Sequence, residues 1–145
     1  MKAIFLINYL TLVALCATAL AGERWRKLEL LPAQLEDTSK SEEASVLTSA
    51  KKYFVNRAEG LKAVKVKSVS EDAKTRRITI VISPEDLVRF SKFMANSVGQ
   101  YVAFVADNTI LEVAFVSTPG ISDTVEIDVP DAGDRAKVIA KLKAE

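Results

Sequence analysis

The sequence predicts a single α+β domain, mainly an antiparallel sheet with helices packed on one face, and three observations predict it. Several runs alternate apolar with polar residues, as a half-buried strand does: Val64 to Lys67, Arg77 to Ile82 and Thr124 to Val129. Between them, Ser83-Pro84-Glu85-Asp86 followed by Leu87, Phe90, Met94 and Val98 carries the start signal and the three- to four-residue spacing of an amphipathic helix. The joints are short and polar, so neighbouring strands pair as hairpins and the helices fold back over them.

Taken in order, Arg24 to Leu31 reads as a short strand with Leu28 and Leu30 on one face, and Pro32 to Glu43 as a polar loop or tether. Leu47, Ala50, Phe54, Ala58 and Leu61 recur at helical spacing, which predicts a first helix stopped at Gly60, with Tyr53 and Phe54 as core aromatics. Two strands follow, around Val64–Val66 and Ile78–Ile82, joined by Ser70 to Lys74. The second helix opens at Ser83, whose hydroxyl suits a cap, and ends near Gly99. Tyr101 to Ala106 and Ile110 to Val116 are apolar runs around Asp107-Asn108, residues that tolerate the left-handed angles of a tight hairpin. The strand Thr124 to Val129 precedes a last helix from Pro130-Asp131, with Ala136, Ile139 and Leu142 inward.

The first residues belong to a different class. Met1-Lys2, an apolar stretch from Ala3 to Leu15 and Ala19-Leu20-Ala21 are arranged as a secretory signal peptide, with cleavage expected after Ala21. The apolar stretch is shorter than the roughly 20 residues of a spanning helix. Cys16 follows Leu15 rather than a small residue and so fits a lipid-attachment site poorly. The expected division is a leader at 1–21, an N-terminal strand or tether at 22–43 and the α+β domain at 44–145. The processed chain is expected in the periplasm or outside the cell, without a transmembrane segment. It holds no cysteine, so its stability comes from core packing rather than disulfides.

The residue inventory points away from catalysis. The sequence has no histidine, which removes the commonest general base and metal ligand. No nucleophile elbow, phosphate loop or dinucleotide fingerprint is present. Catalytic residues, cofactors and metal ligands are therefore all expected to be none. A small carboxylate-dependent hydrolase is the remaining enzymatic alternative. A formal net charge of +1 gives no basic excess for nucleic acid.

Charge is nevertheless segregated. Residues 62–77 hold six bases and two acids, and residues 107–134 hold seven acids and no base. The plain reading is cross-strand pairing on a wet sheet face. The sharper one is a partner surface, with Lys65, Lys67, Arg77, Pro119 and Gly120 as contact residues. The partner expected is a protein or an extended polypeptide, and a self-associating structural protein is the alternative.

Residues 61–143 resemble the head subdomain of the large periplasmic domain of SecD, the accessory subunit of the bacterial protein-export channel. The resemblance is carried by Ile78 to Phe90, by Val98-Gly99 through Asp107-Asn108, and by Val125–Val129 with Asp134–Leu142. Asn108 replaces the hairpin glycine, Val113-Ala114-Phe115 replaces a small-residue–proline step, and Pro119-Gly120 is what remains of a glycine-rich loop. The resemblance implies the head's fold and contact with emerging polypeptide. The family's base subdomain and proton-driven transmembrane helices have no counterpart in these residues.

Overall fold

The structure is a computed structural model that describes residues 24–38, 40–118 and 122–144, together with the backbone of Thr18–Ala19. Its strands are β1 (Thr18–Ala19), β2 (Leu28–Gln34), β3 (Glu42–Val46), β4 (Ser49–Val55), β5 (Leu61–Val64), β6 (Val66–Asp72), β7 (Arg77–Ile82), β8 (Tyr101–Ala106), β9 (Thr109–Phe115) and β10 (Thr124–Asp128). The helices are α1 (Leu87–Asn96), entered through a 3-10 turn at Pro84–Asp86, and α2 (Ala132–Leu142).

The strands form two sheets. One is antiparallel, in the order β1-β6-β7-β10. The other runs β4-β3-β9-β8-β2-β5, and the additional β4–β2 pairing closes its first five strands into a barrel. Every barrel pairing is antiparallel except β3 with β9, where Val46 lies opposite Ile110. Leu31, Ala33, Val46, Val55, Ala103, Val105, Ile110 and Val113 form one core cluster on the barrel's inner face. The alternate residues Leu28, Leu30, Val102 and Phe104 join a second, larger core with Ile78, Ile80, Ile82, Val125, Ile127, Phe90, Val138 and Leu142. That is why β8 reads as a continuous apolar run: both its faces are covered.

Pro32 lies inside β2, where a proline is normally excluded because it cannot donate to the ladder. Here it fits. On its open side β2 pairs with β4 at Ala33–Val55 and with β5 at Leu30–Leu61, and residues 56–60 loop out between these pairs. Pro32 sits at that gap, where only its carbonyl is used, accepting from the Asn56 amide at 3.0 Å. Gly60 closes the loop with φ 151°, and a Cβ there would stand 2.4 Å from the Leu30 carbonyl oxygen.

Several expectations are corrected. The helix expected over residues 44–60 is instead the hairpin β3–β4, in which Tyr53 and Val55 are buried at two-residue spacing while Phe54 between them is half-buried. Thr48 turns the hairpin, its hydroxyl donating to the Leu111 carbonyl at 2.8 Å. In the segment expected as an N-terminal strand or tether at 22–43, the strand is β2 at Leu28–Gln34, running past the expected end at Leu31, and the 43/44 boundary cuts β3. The single sheet becomes two. Ser83 makes no side-chain cap. Val98 is 40% exposed because α1 ends at Asn96, and in α2 Val138 and Arg135 face inward while Ala136 faces solvent. The hairpin at Asp107-Asn108 forms as expected, with φ of 50° and 54°. The expected leader up to Ala17, including Cys16, and the cleavage expected after Ala21 lie outside the described residues.

Candidate polypeptide-binding surface

Three features bring functional groups together. The first is an apolar groove of about 280 Å³ between α1, the end of β9 and β10. Phe90, Met94, Phe104 and Phe115 line it, together with the hydroxyl-bearing Thr118 and Ser122. Phe115 is 53% exposed, unusual for a residue of its size. It is held in place all the same: its ring packs edge-on against Tyr101 at 5.2 Å, and Tyr101 lies 5.8 Å from Tyr53. The three rings thus form a chain of contacts from the barrel core, where Tyr53 is buried, out to Phe115 in the groove. Beside it runs β10, which pairs only with β7 among the described residues and leaves its other edge open.

The second feature is a hollow of about 370 Å³ lined by Arg24, Lys27, Lys65 and Lys67, with Trp25 and Ser83. Lys65 is answered by Glu85 at 2.5 Å. Asp86 lies close by but is committed. It accepts from the Lys65 amide at 2.8 Å and from Arg89 at 2.9 and 3.0 Å, and these bonds, the amide first, hold its carboxyl below the usual range. A wider polar cleft, about 490 Å³, opens by Gln34, Asn56, Gln100 and Tyr101.

The third is the outer edge of β6. Thr18 and Ala19 pair with it antiparallel, opposite Glu71 and Ser70.

The residues expected to contact a partner do not form one cluster. Lys65 and Lys67 line the hollow, whereas Arg77 lies opposite Asp72 at the far end of β6. Arg77 bonds Asp128 at 2.7 Å, directly across from it on β10, and reaches Glu126 at 3.5 Å. For Arg77 the plain reading of charge segregation holds, and such exposed pairs contribute little each. Pro119 and Gly120 lie outside the described residues. Sequence reasoning passed over Phe115, Arg24 and Lys27. The signal for Phe115 was a large aromatic ending a strand just before the polar Ser117-Thr118.

Among the described residues, Glu112 is the acid whose environment disfavours its charge. It is half-buried on β9, and desolvation raises its pKa against the opposing bonds from the Val113 amide and Thr48. The charge of Asp128 adds a smaller push in the same direction, and no group of three or more possible metal ligands occurs among the described residues. No helix among the described residues is long and apolar enough to cross a membrane. No family model, curated protein or solved structure matches the chain.

Proposed function

We propose that this chain is an exported, non-catalytic binding module of the periplasm or cell envelope that contacts extended polypeptide, in the manner of a stand-alone SecD-like head. The observation that carries the reading is the open β10 edge lying along the apolar groove with its half-exposed Phe115. A polypeptide added along β10 gains main-chain hydrogen bonds, and one of its apolar side chains fills the groove. Backbone pairing of this kind accepts many sequences, which suits a module that meets unfolded chains. The stretches that carry the SecD resemblance, Ile78 to Phe90, Val98 to Asn108, Val125–Val129 and Asp134–Leu142, correspond to β7 with the start of α1, β8 with its turn, β10 and α2.

The test is binding of a reduced, carboxymethylated protein that cannot fold, followed by fluorescence anisotropy. The chain is expected to bind it, and Phe115→Ser to weaken binding about tenfold, since a central aromatic anchor carries much of such an interface. Equal binding by the variant refutes the groove. No binding together with concentration-dependent growth in size supports the self-associating alternative.

A further inference from the structure

The outer side of β10 carries no partner strand among the described residues, and hydrogen-bond parity fixes what that edge offers. The Asp123 carbonyl accepts from the Ile82 amide at 2.7 Å, and the Val129 amide donates to the Arg76 carbonyl at 2.9 Å. Residues 123, 125, 127 and 129 therefore turn their main-chain groups towards β7, and those of Thr124, Glu126 and Asp128 point outward. The first of these is used within the fold, since the Ser122 hydroxyl accepts from the Thr124 amide at 3.2 Å. At the other end the next outward position is Pro130, which has no amide to give. Two rungs remain open, at Glu126 and Asp128.

Both rungs carry an acid. The side chains of Glu126 and Asp128 lie on the wet face of the sheet, away from the buried Val125 and Ile127, and are more than half exposed. One base, Arg77, answers both, at 2.7 Å from Asp128 and 3.5 Å from Glu126. The charge of Asp128 also reaches Glu112 on β9, so the negative potential is not confined to β10. On the inner side the polarity inverts, for Val125 lines the apolar groove with Phe90 and Phe115.

We propose that this edge prefers one class of extended polypeptide: a segment with two basic residues two positions apart and an apolar residue directly after the second. The inference rests on the reading of β10 and its groove as a polypeptide-binding surface, and adds what that surface selects. Every pairing in this sheet is antiparallel, and an antiparallel neighbour meets each open rung with a single residue that exchanges both main-chain bonds. The residues opposite Asp128 and then Glu126 stand on the wet face beside an acid, where a base is favoured and an acid repelled. The next one, opposite Val125, turns inward to the groove. The same charges keep a second copy of the chain away. Antiparallel self-pairing centred on Glu126, on Ile127 or on Asp128 sets acid directly against acid in each case.

The probe is the peptide Gly-Lys-Val-Lys-Leu-Ser-Gly with blocked ends. One control carries glutamate at both lysine positions, and another carries N-methyl groups on both lysines. Binding to the isotope-labelled full chain is read by NMR from the amide shifts of Glu126 and Asp128, which measures weak affinities directly.

The lysine peptide is expected to bind at least about fivefold more tightly than the glutamate peptide, because two exposed charge pairs change sign between them. The gap is expected to narrow at high salt. N-methylation is expected to abolish binding. Glu126→Gln with Asp128→Asn is expected to bring the two peptides within about twofold of each other with unchanged circular dichroism, and Arg77→Gln to widen the gap. Equal binding of the lysine and glutamate peptides, or a preference that survives Glu126→Gln with Asp128→Asn, overturns this inference. If Phe115→Ser still weakens both peptides in that case, the β10 groove stands without a charge rule. Undiminished binding of the N-methylated peptide overturns strand addition at this edge. No binding of any peptide overturns the inference and the β10 reading together, as does self-association of the chain through these same two amides.

Discussion

Arg135 is 7% exposed, and it joins three elements of the fold. From α2 its Nε donates to Glu71 on β6 at 2.8 Å, and one terminal nitrogen donates to the Val129 and Pro130 carbonyls at 2.7 and 2.9 Å. Arg135→Met keeps the length of the side chain and removes all three bonds. Hydrogen bonds to a charged group contribute roughly 1.5–3 kcal/mol each. The full sum overstates the loss, because Glu71 is 34% exposed and recovers water when it loses its partner. A net loss of about 3 kcal/mol remains, which in a domain of this size lowers Tm by roughly 10 °C. Glu71→Gln leaves an acceptor for Nε and both carbonyl bonds, and is expected to cost about 1 kcal/mol. Guanidinium unfolding followed by circular dichroism measures both, with the denaturant slope checked for constancy. If Arg135→Met falls within 1 kcal/mol of the parent, or costs no more than Glu71→Gln, the view of Arg135 as the joint between β6, β10 and α2 is refuted.

Other positions give independent checks. Gly60→Ala sets a Cβ against the Leu30 carbonyl at 2.4 Å and at a φ of 151°, so it is expected to destabilise by about 2–3 kcal/mol in the same unfolding assay. Phe115→Ser, by contrast, is expected to cost under about 1 kcal/mol, because the ring is already half in water and loses mainly its contact with Tyr101. Glu112→Gln tests the buried carboxyl. The folded chain holds this proton more tightly than the unfolded chain does, so the contribution of Glu112 to stability is greatest below its ordinary value of 4.5 and is lost as pH rises through the raised folded value. The glutamine can keep both local bonds, accepting from the Val113 amide and donating to the Thr48 hydroxyl, whose own hydrogen serves the Leu111 carbonyl. The variant is therefore expected to match the parent below about pH 4.5 and to exceed it in unfolding midpoint at pH 7. A parent that loses no stability relative to the variant across that range contradicts the assignment.

Local pattern carried much of the second half of the chain. Ile78, Ile80 and Ile82 alternate because β7 has one covered face, and Asp107-Asn108 takes the left-handed angles that its hairpin needs. The first half was harder for physical reasons. Residues 44–61 hold apolar side chains at both helical and strand spacing, and only long-range partners decide between them. Those partners are β9, through Val46–Ile110, and β2, through Ala33–Val55. Barrel closure is likewise a matter of pairing between distant segments, and a proline in β2 argues against a strand until the gap between β4 and β5 is seen. The candidate surfaces were only partly legible. Lys65 and Lys67 stand together in sequence, but Arg24 and Lys27 reach the same hollow from another segment. The groove joins Phe90 of α1 to Phe115 of β9 and Val125 of β10, three residues that no spacing rule connects.

The most direct test of the central claim places a photo-activated cross-linking residue at position 115, in the groove, or at position 88, which is 79% exposed on α1 outside it, in the chain as exported by living cells. Adducts with many different polypeptides in transit through the envelope, formed from position 115 and absent from position 88, are the predicted result. Adducts that are the same from both positions, or that contain only a second copy of this chain, contradict a polypeptide-binding groove.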